Sequence, residues 1–164
     1  MNMKQLIISL LIIFAAQSAY GQTAAQIFAL FKDKPKAEYV HVPRLLLSFA
    51  KKFASKGNDE EAKMIMSHIH SVRVLDWEDC DKNVKDDFIR ETHNLNTTGY
   101  EPMVRVNEDG EKVMILTKSK DDVISEMLVL VSSQDDCTLV QIKGKINQDE
   151  INRLVDDNTH KKKK

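Results

Sequence analysis

The sequence predicts a single α+β domain built on a mainly antiparallel sheet of five to six strands, with helices packed on it. The first observation is that residues 100–146 read as four strands joined by three short polar turns. Turns this short force neighbouring strands to be antiparallel, so we expect a C-terminal four-stranded meander. The second is that residues 38–77 read as strand, helical connection and strand, an N-terminal βαβ-like unit. A chain of 164 residues with 42% hydrophobic content can bury one core.

The first 21 residues have the layout of a secretory signal peptide. Lys4 supplies a positive charge, residues 6–16 form an uncharged apolar run, and Ala19 and Gly21 are small residues placed for cleavage before Gln22. An uncleaved anchor is the second interpretation, although the run is shorter than the about 20 residues of a membrane span. No cysteine lies at the cleavage position, so a lipoprotein anchor is unsupported. We therefore expect an exported protein whose single domain spans residues 22–156.

The charges of the chain are nearly balanced, with 24 Lys and Arg against 25 Asp and Glu. A nucleic-acid-binding domain normally shows a basic surplus, so no nucleic acid is expected as a partner. Residues 157–164 form a basic tail that ends in Lys161, Lys162, Lys163 and Lys164. We expect this tail to be disordered and solvated. Each lysine near an anionic membrane adds about 1 kcal/mol of attraction, so the tail predicts at most weak peripheral membrane contact.

The segment before the meander predicts helices around two strands. Thr23 is suited to cap a short helix whose apolar face is Ile27, Leu30 and Phe31. Residues 38–42 have the composition of a strand. Pro43 then begins a helix. Its predicted buried face consists of Leu45, Leu46, Phe49 and Phe53.

A further helical piece leads to the second strand, at residues 71–77, where Val72 and Val74 alternate with Arg73 and Leu75. A strand–helix–strand unit allows the two strands to run parallel with a right-handed connection. Asp81 is placed to cap the next helix. The inward residues predicted for that helix are Val84, Phe88 and Leu95.

The four strands of the meander differ in predicted exposure. Asp109-Gly110 predicts a hairpin between the first two strands, and Pro102 marks the first strand as an edge strand. Residues 113–116 (VMIL) and 127–131 (MLVLV) are apolar on both faces, and such strands need two covers. The helices supply one. The second cover is the N-terminal helix, a C-terminal helix that begins at Asn147, or a partner. Cover by the chain itself is preferred, because monomers rarely expose apolar patches.

No motif in the chain predicts a catalytic residue, a cofactor or a metal site. His68 and His70 have a spacing that suits a shared metal ion on a strand, but no cysteine or carboxylate motif completes the ligand set. The many acid pairs fall at turns and helix starts, where they serve as turn formers and caps. Cys80 and Cys137 lie beside acidic residues, which raise the pKa of a thiol and argue against a nucleophile. A disulfide between them is expected only if their loops meet at one end of the sheet.

A set of motif positions in the mature chain consists of Phe28, Phe31, Tyr100-Glu101, Met103, Val106, Asp109-Gly110, residues 126–131 and residues 140–144. On these residues the mature chain resembles the DUF4252 family of small exported Bacteroidetes proteins. Pro102 departs from the aliphatic or acidic residue expected at its position. The resemblance implies the fold and a location in the periplasm or cell envelope of a Gram-negative bacterium. It carries no known activity, so it supplies no catalytic residues.

The leading hypothesis is therefore a non-catalytic binding or interaction module. It rests on the two central strands, which are apolar on both faces, and on the lack of a convergent polar motif in the sequence. The expected partner is another protein or a second copy that meets the apolar sheet face. The alternative is a metal-dependent or carboxylate-based hydrolase in the periplasm that uses His68, His70 and acids of the hairpin turns.

Overall fold

Six antiparallel strands form one sheet in the computed structural model, which describes residues 21–48, 66–77 and 79–149. In chain order the strands are β1 (Glu38–Pro43), β2 (Ile69–Asp76), β3 (Glu101–Glu108), β4 (Glu111–Lys120), β5 (Val123–Ser132) and β6 (Cys137–Asn147). Helix α1 (Ala24–Phe31) precedes β1, and helix α2 (Lys82–His93) lies between β2 and β3. The strand order across the sheet is β1-β2-β6-β5-β4-β3. The predicted α+β class, the antiparallel sheet and its meander are confirmed.

Tight turns join the strands of the meander. Asp109 and Gly110 connect β3 to β4 with φ angles of 49° and 82°. Asp121 and Asp122 connect β4 to β5 with φ angles of 52° and 60°. Positive φ at both central residues matches the right-handed twist of a two-residue hairpin, which favours Asp and Gly. The predicted Asp109-Gly110 hairpin is therefore confirmed, and β3 is an edge strand as Pro102 predicted.

The pairing of β1 with β2 differs from the arrangement that the βαβ-like pattern allowed. The two strands are antiparallel, with Glu38 opposite Asp76 and Pro43 opposite Ser71. The expectation of a parallel pair is wrong because the end of β1 lies beside the start of β2, so the connection doubles back instead of crossing the length of the sheet. This connection is helical at residues 44–48 and 66–68.

The face predicted for the first part of this connection also needs correction. Leu45 and Leu46, expected to be buried, are exposed, whereas Leu47 is buried. Phe49 and Phe53 lie outside the described residues. The local spacing of apolar residues indicated a helix correctly but did not identify the side that faces the protein.

Helix α1 begins at the predicted cap. The backbone N–H of Gln26 donates to the Thr23 hydroxyl at 3.3 Å, and the backbone N–H of Thr23 donates to the Gln26 side chain at 2.8 Å. This reciprocal capping box satisfies two backbone donors that a helix start leaves unpaired. Phe28 is buried, whereas Leu30, predicted to face inward, is 48% exposed.

Helix α2 agrees closely with its prediction. Asp81 is the N-cap residue, although its carboxylate makes no capping bond and instead pairs with Lys36 at 3.3 Å. Phe88 and Leu95 are buried, and Val84 packs at the margin of the core. The charged residues of α2 face solvent because its apolar side alone meets the sheet.

Three aromatic rings lie at the centre of the core. The ring of Trp77 lies 4.1 Å from that of Phe88, and Phe31 meets both rings edge-on at 5.5 Å. Edge-to-face contacts of this kind stabilise a core beyond the burial of area alone. Trp77 is fully buried, so it is a core residue.

Several predicted segments lie outside the described residues. These are the signal peptide up to residue 20 and the basic tail. Of the helix predicted to begin at Asn147, only the start is described, where residues 148–149 are helical and the N–H of Asp149 donates to Asn147 Oδ1 at 3.0 Å. Within the described ranges, no helix has both the length and the apolar content to cross a bilayer.

Replacing Phe88 by Ala is expected to lower the free energy of unfolding by about 3–5 kcal/mol, because it removes a fully buried ring that contacts two others. Urea denaturation followed by the fluorescence of Trp77, the single tryptophan of the chain, measures the loss. The exposed Leu30 on the neighbouring helix is the control, because Leu30→Ala should change the free energy by less than about 0.5 kcal/mol. Equal losses in the two variants would contradict the packing described.

Candidate functional site

The two faces of the sheet differ in what covers them. One face, here called the covered face, contributes leucine and methionine side chains to the buried core together with α1 and α2. Its central residues are Leu75 on β2, Leu139 on β6, Leu130 on β5 and Met114 on β4. Both helices therefore lie on the same side of the sheet.

The opposite face, here called the open face, is apolar in all six strands. Its central side chains are valine, isoleucine and methionine, and none of them belongs to the buried core. They are Val40, Val42, Val72, Val74, Val104, Val106, Val113, Ile115, Met127, Val129, Val131, Val140 and Ile142. Cross-strand register aligns them, since directly paired residues project from the same face of a sheet. The apolar open face expected of β4 and β5 therefore continues onto the other four strands.

The apolar side chains of the open face continue onto both edge strands, β1 and β3. On β3, Val104 and Val106 lie on the open face and are 39% and 42% exposed, while Arg105 lies on the covered side opposite Met114. On β1, Val40 lies on the open face and is 52% exposed. A sheet with one solvated face normally places polar residues there. The open face is therefore apolar up to both edges of the sheet, and three further residues that share its register, Thr117, Ile124 and Ile146, are buried.

Polar side chains on the covered face form a second feature, the Glu126 cluster, which consists of Tyr100, Lys118, Glu126 and Gln141. The Tyr100 hydroxyl donates to Glu126 Oε1 at 2.6 Å, and Gln141 Nε2 donates to the same oxygen at 2.5 Å. The ammonium of Lys118 lies 4.3 Å from the centre of the Tyr100 ring, a cation–π contact. Gln141 is only 3% exposed, so this cluster ties β5 and β6 to the segment before β3 inside the protein.

The electrostatics of the Glu126 cluster favour a structural role. Burial, followed by the hydrogen bond to Glu126, raises the pKa of Tyr100 well above that of an ordinary tyrosine. A tyrosine held in its protonated form donates a hydrogen bond and does not act as a general base near neutral pH. The carboxylate of Glu126 therefore accepts hydrogen bonds from two neutral side chains, those of Tyr100 and Gln141.

The two cysteines are buried free thiols. Cys80 Sγ donates to the carbonyl of Pro35 at 3.3 Å, and Cys137 Sγ donates to the carbonyl of Ser133 at 3.1 Å. Burial raises the pKa of both thiols. Both contact the backbone of Trp77, through Trp77 N–H to Cys137 O and Cys80 N–H to Trp77 O, each at 3.0 Å. Their loops thus meet at one end of the sheet, and the disulfide between them stays a prediction.

The two residues considered for metal binding, His68 and His70, lie at the start of β2. His68 precedes β2, and His70 lies at the irregular start of β2, where the register with β6 shifts. In residues 21–48, 66–77 and 79–149, no group of three or more His, Cys, Asp or Glu side chains is placed to hold a metal ion.

The acid pairs within the described ranges have local roles. Asp86 pairs with Lys82 at 2.9 Å, and Asp87 pairs with Arg90 at 2.8 Å, along the exposed side of α2. The pairs at residues 108–109 and 121–122 lie at the β3–β4 and β4–β5 turns. The pairs at the turns lie where the sequence predicted, whereas Asp86 and Asp87 lie within α2 and form surface ion pairs instead of capping a helix.

Sequence reasoning missed the Glu126 cluster. Its members come from four separate segments of the chain, and no short motif joins them. One signal was present, because Tyr100 and Glu126 both lie in the runs that carry the family resemblance. A second was Gln141, a polar residue on the inward side of a strand whose neighbour on that side is Leu139.

A family model matches most of the chain. The family model described as a domain of unknown function, DUF4252, matches residues 31–154. No curated protein and no solved structure matches the chain. The matched range runs from the last residue of α1 past the end of β6, so it contains all six strands and α2.

Replacing Tyr100 by Phe is expected to lower the free energy of unfolding at pH 7 by about 1.5–3 kcal/mol, because it removes a hydrogen bond to a carboxylate. The folded pKa of Tyr100 is raised, so its contribution is complete below the ordinary tyrosine pKa of about 10 and is lost as the pH rises further. The difference between wild type and variant should therefore shrink above pH 10.

Urea denaturation at pH 7 and at several values above 10 measures this difference. The matched control is Tyr39→Phe, because no hydrogen bond joins the Tyr39 hydroxyl to any side chain in the described ranges. A Tyr100→Phe difference that does not depend on pH would contradict the assignment.

Proposed function

The chain belongs to the DUF4252 family, and we propose that it is an exported, non-catalytic binding protein of the cell envelope that acts through its open face. The observation that carries this proposal is the orientation of the edge strands, which turn Val40, Val104 and Val106 to the side that α1 and α2 leave uncovered. The partner that fits such a surface is a protein with an apolar β-sheet face of its own.

The energetics of the open face support binding. Burying apolar surface contributes roughly 25 cal/mol per Å², and exposed apolar patches of several hundred Å² on a monomer usually mark contact sites. The central rows of the face contain no charged side chain, and the carboxylates that share its register lie at the ends of the strands, at Glu38, Asp76, Glu101, Glu108 and Glu111. The side chains of the central rows are mostly β-branched, so they lose little rotamer freedom when a partner covers them.

Two features support export. The layout of the first 21 residues predicts a signal peptide that is removed before Gln22. Gln22 is held by hydrogen bonds, since the N–H of Asn96 donates to Gln22 O at 2.9 Å and Gln22 Nε2 donates to Glu91 at 2.8 Å. A mature chain that starts at Gln22 would therefore keep these contacts. The four lysines at 161–164 would add weak attraction to an anionic surface in the envelope.

The hydrolase alternative has no specific observation in its favour. Carboxylate-based hydrolysis of the glycosidase type uses two carboxyl groups across a cleft, one of them with a raised pKa. The inward carboxylate of Glu126 instead receives hydrogen bonds from Tyr100 and Gln141. Binding through the open face is thus the function that the geometry supports best.

Expression of all 164 residues in a Gram-negative host is expected to give a processed protein in the envelope fraction whose first residue is Gln22, because Ala19 and Gly21 suit signal peptidase. Intact mass and N-terminal sequencing of the purified protein check this. An Ala19→Arg variant, which disrupts the cleavage position, should accumulate uncleaved. An uncleaved wild-type chain that stays in the cytoplasm would contradict export.

A photoreactive amino acid at position 104 is expected to cross-link to a protein in the envelope, because Val104 lies on the open face and is exposed. The matched control is position 30, because Leu30 is also an exposed apolar residue but lies on α1, on the other side of the sheet. Gel electrophoresis and mass spectrometry of cross-linked products measure the difference. Equal cross-linking at the two positions, or none at 104, would count against the open face as the binding surface.

A further inference from the structure

We propose that removal of the signal peptide creates a site for the new N-terminus, in which the α-ammonium group of Gln22 is bound at the C-terminal end of α2. This inference rests on the export step of the proposed function, which places cleavage before Gln22. It goes beyond export because it links the processing of the chain to the stability of the folded domain.

The residue that precedes the cleavage position lies directly against the loop that follows α2. A Cβ atom on Gly21 would overlap the carbonyl oxygen of Asn94 and would lie 3.3 Å from the backbone nitrogen of Asn96. The nitrogen of Gln22 lies nearer to the Cα of Gly21 than the about 3.8 Å between consecutive Cα atoms. Cleavage therefore leaves the new ammonium group beside the Asn94 carbonyl and frees the space that Gly21 occupied.

The rest of Gln22 is held by contacts that cleavage does not remove. Its carbonyl accepts from the N–H of Asn96 at 2.9 Å, and its Nε2 donates to Glu91 Oε2 at 2.8 Å. The next residue, Thr23, caps α1. The new N-terminus is thus already positioned, so binding its ammonium group orders little additional chain.

Two acceptors at this place lack a hydrogen-bond donor among the residues that the structure describes. One is the carbonyl of Asn94, on which no backbone hydrogen bond ends. The other is Gln22 Oε1, which is buried. A buried acceptor without a donor costs free energy, and an ammonium group brings three N–H donors. The processed chain therefore has the donors that these acceptors lack.

The charges around the new N-terminus also attract a cation. The last carbonyls of a helix carry partial negative charge, and α2 ends at this place with Asn94 as its C-cap. Glu91 adds a carboxylate whose side chain is 29% exposed. The basic groups of the last turn are Arg90, which pairs with Asp87 at 2.8 Å, and His93, whose Nδ1 faces the Asn94 side chain at 3.4 Å.

The first experiment compares the thermal unfolding of processed proteins, each purified after expression of the full chain. In the test variant, a glycine is inserted between Gly21 and Gln22, so that Ala19 and Gly21 still direct cleavage and the mature chain begins with the inserted glycine. Wild type is expected to have the higher Tm, by about 2–4 °C, because the variant displaces the ammonium group by one residue. Equal Tm values would overturn the proposal.

An inserted alanine is the matched variant. It displaces the ammonium group by the same distance, but its Cβ meets the carbonyl oxygen of Asn94, so its Tm should be lower than that of the glycine variant. Equal Tm values in the two variants would overturn the placement of the new N-terminus against Asn94.

Acetylation of the α-amine at pH 7 measures the binding directly. A bound ammonium group loses its proton less readily, so wild type should react about tenfold more slowly than the glycine variant for each pH unit by which binding shifts the titration. Mass spectrometry of the N-terminal peptide measures the two rates. Equal rates would contradict a bound ammonium group.

Intact mass of the freshly purified wild type separates the failure of this inference from the failure of the proposed function. An uncleaved chain contradicts export, and this inference fails with it. A chain cleaved at another position keeps export and overturns this inference alone. The same holds for a chain that begins at Gln22 but has lost one ammonia. In that case the α-nitrogen has bonded to Cδ of the Gln22 side chain, Nε2 has left as ammonia, and no ammonium group remains.

Discussion

The apolar character of both faces of the sheet is the constraint on which the rest of the structure depends. Helices α1 and α2 bury the leucine and methionine side chains of one face. The other face has a continuous set of mostly valine and isoleucine side chains, including those of both edge strands. An antiparallel sheet that met water on this side would carry polar residues at alternate positions. The residue alternation of this sheet therefore differs from that of a sheet with one solvated face.

The two faces use different side chains because they meet different surfaces. Leucine, methionine and the rings of Trp77 and Phe88 fill the uneven space between helices and sheet. Short β-branched side chains make the open face even, which suits another pleated surface. On the covered face, polar groups are gathered where Glu126 receives donors from Tyr100 and Gln141. Glu126 is partly buried, and each hydrogen bond to such a charged group contributes about 1.5–3 kcal/mol.

One hydrogen bond joins two positions that also carry the family resemblance. Tyr100 and Glu126 lie 26 residues apart in the chain and in two runs that carry the resemblance, and their side chains are joined at 2.6 Å. This hydrogen bond gives a structural reason why a tyrosine and a glutamate lie at these two positions. The motifs alone did not give that reason. It could not be derived from the sequence, because hydrogen bonds between distant segments leave no periodic signal. The open face is easier to anticipate, since the double-sided apolar runs at residues 113–116 and 127–131 already require two covers.

By itself the sequence determined the meander, its Asp109-Gly110 hairpin and its antiparallel pairing, because residue alternation and short turns are local properties. It did not determine the direction of β1 against β2, since a connection of this length permits either direction. It also did not determine the inward side of residues 44–48, because the neighbouring surface decides which leucine is buried. Only the tertiary structure decided which face α1 and α2 cover. That choice depends on how separate elements dock together, and it leaves the valines of both edge strands on the opposite side.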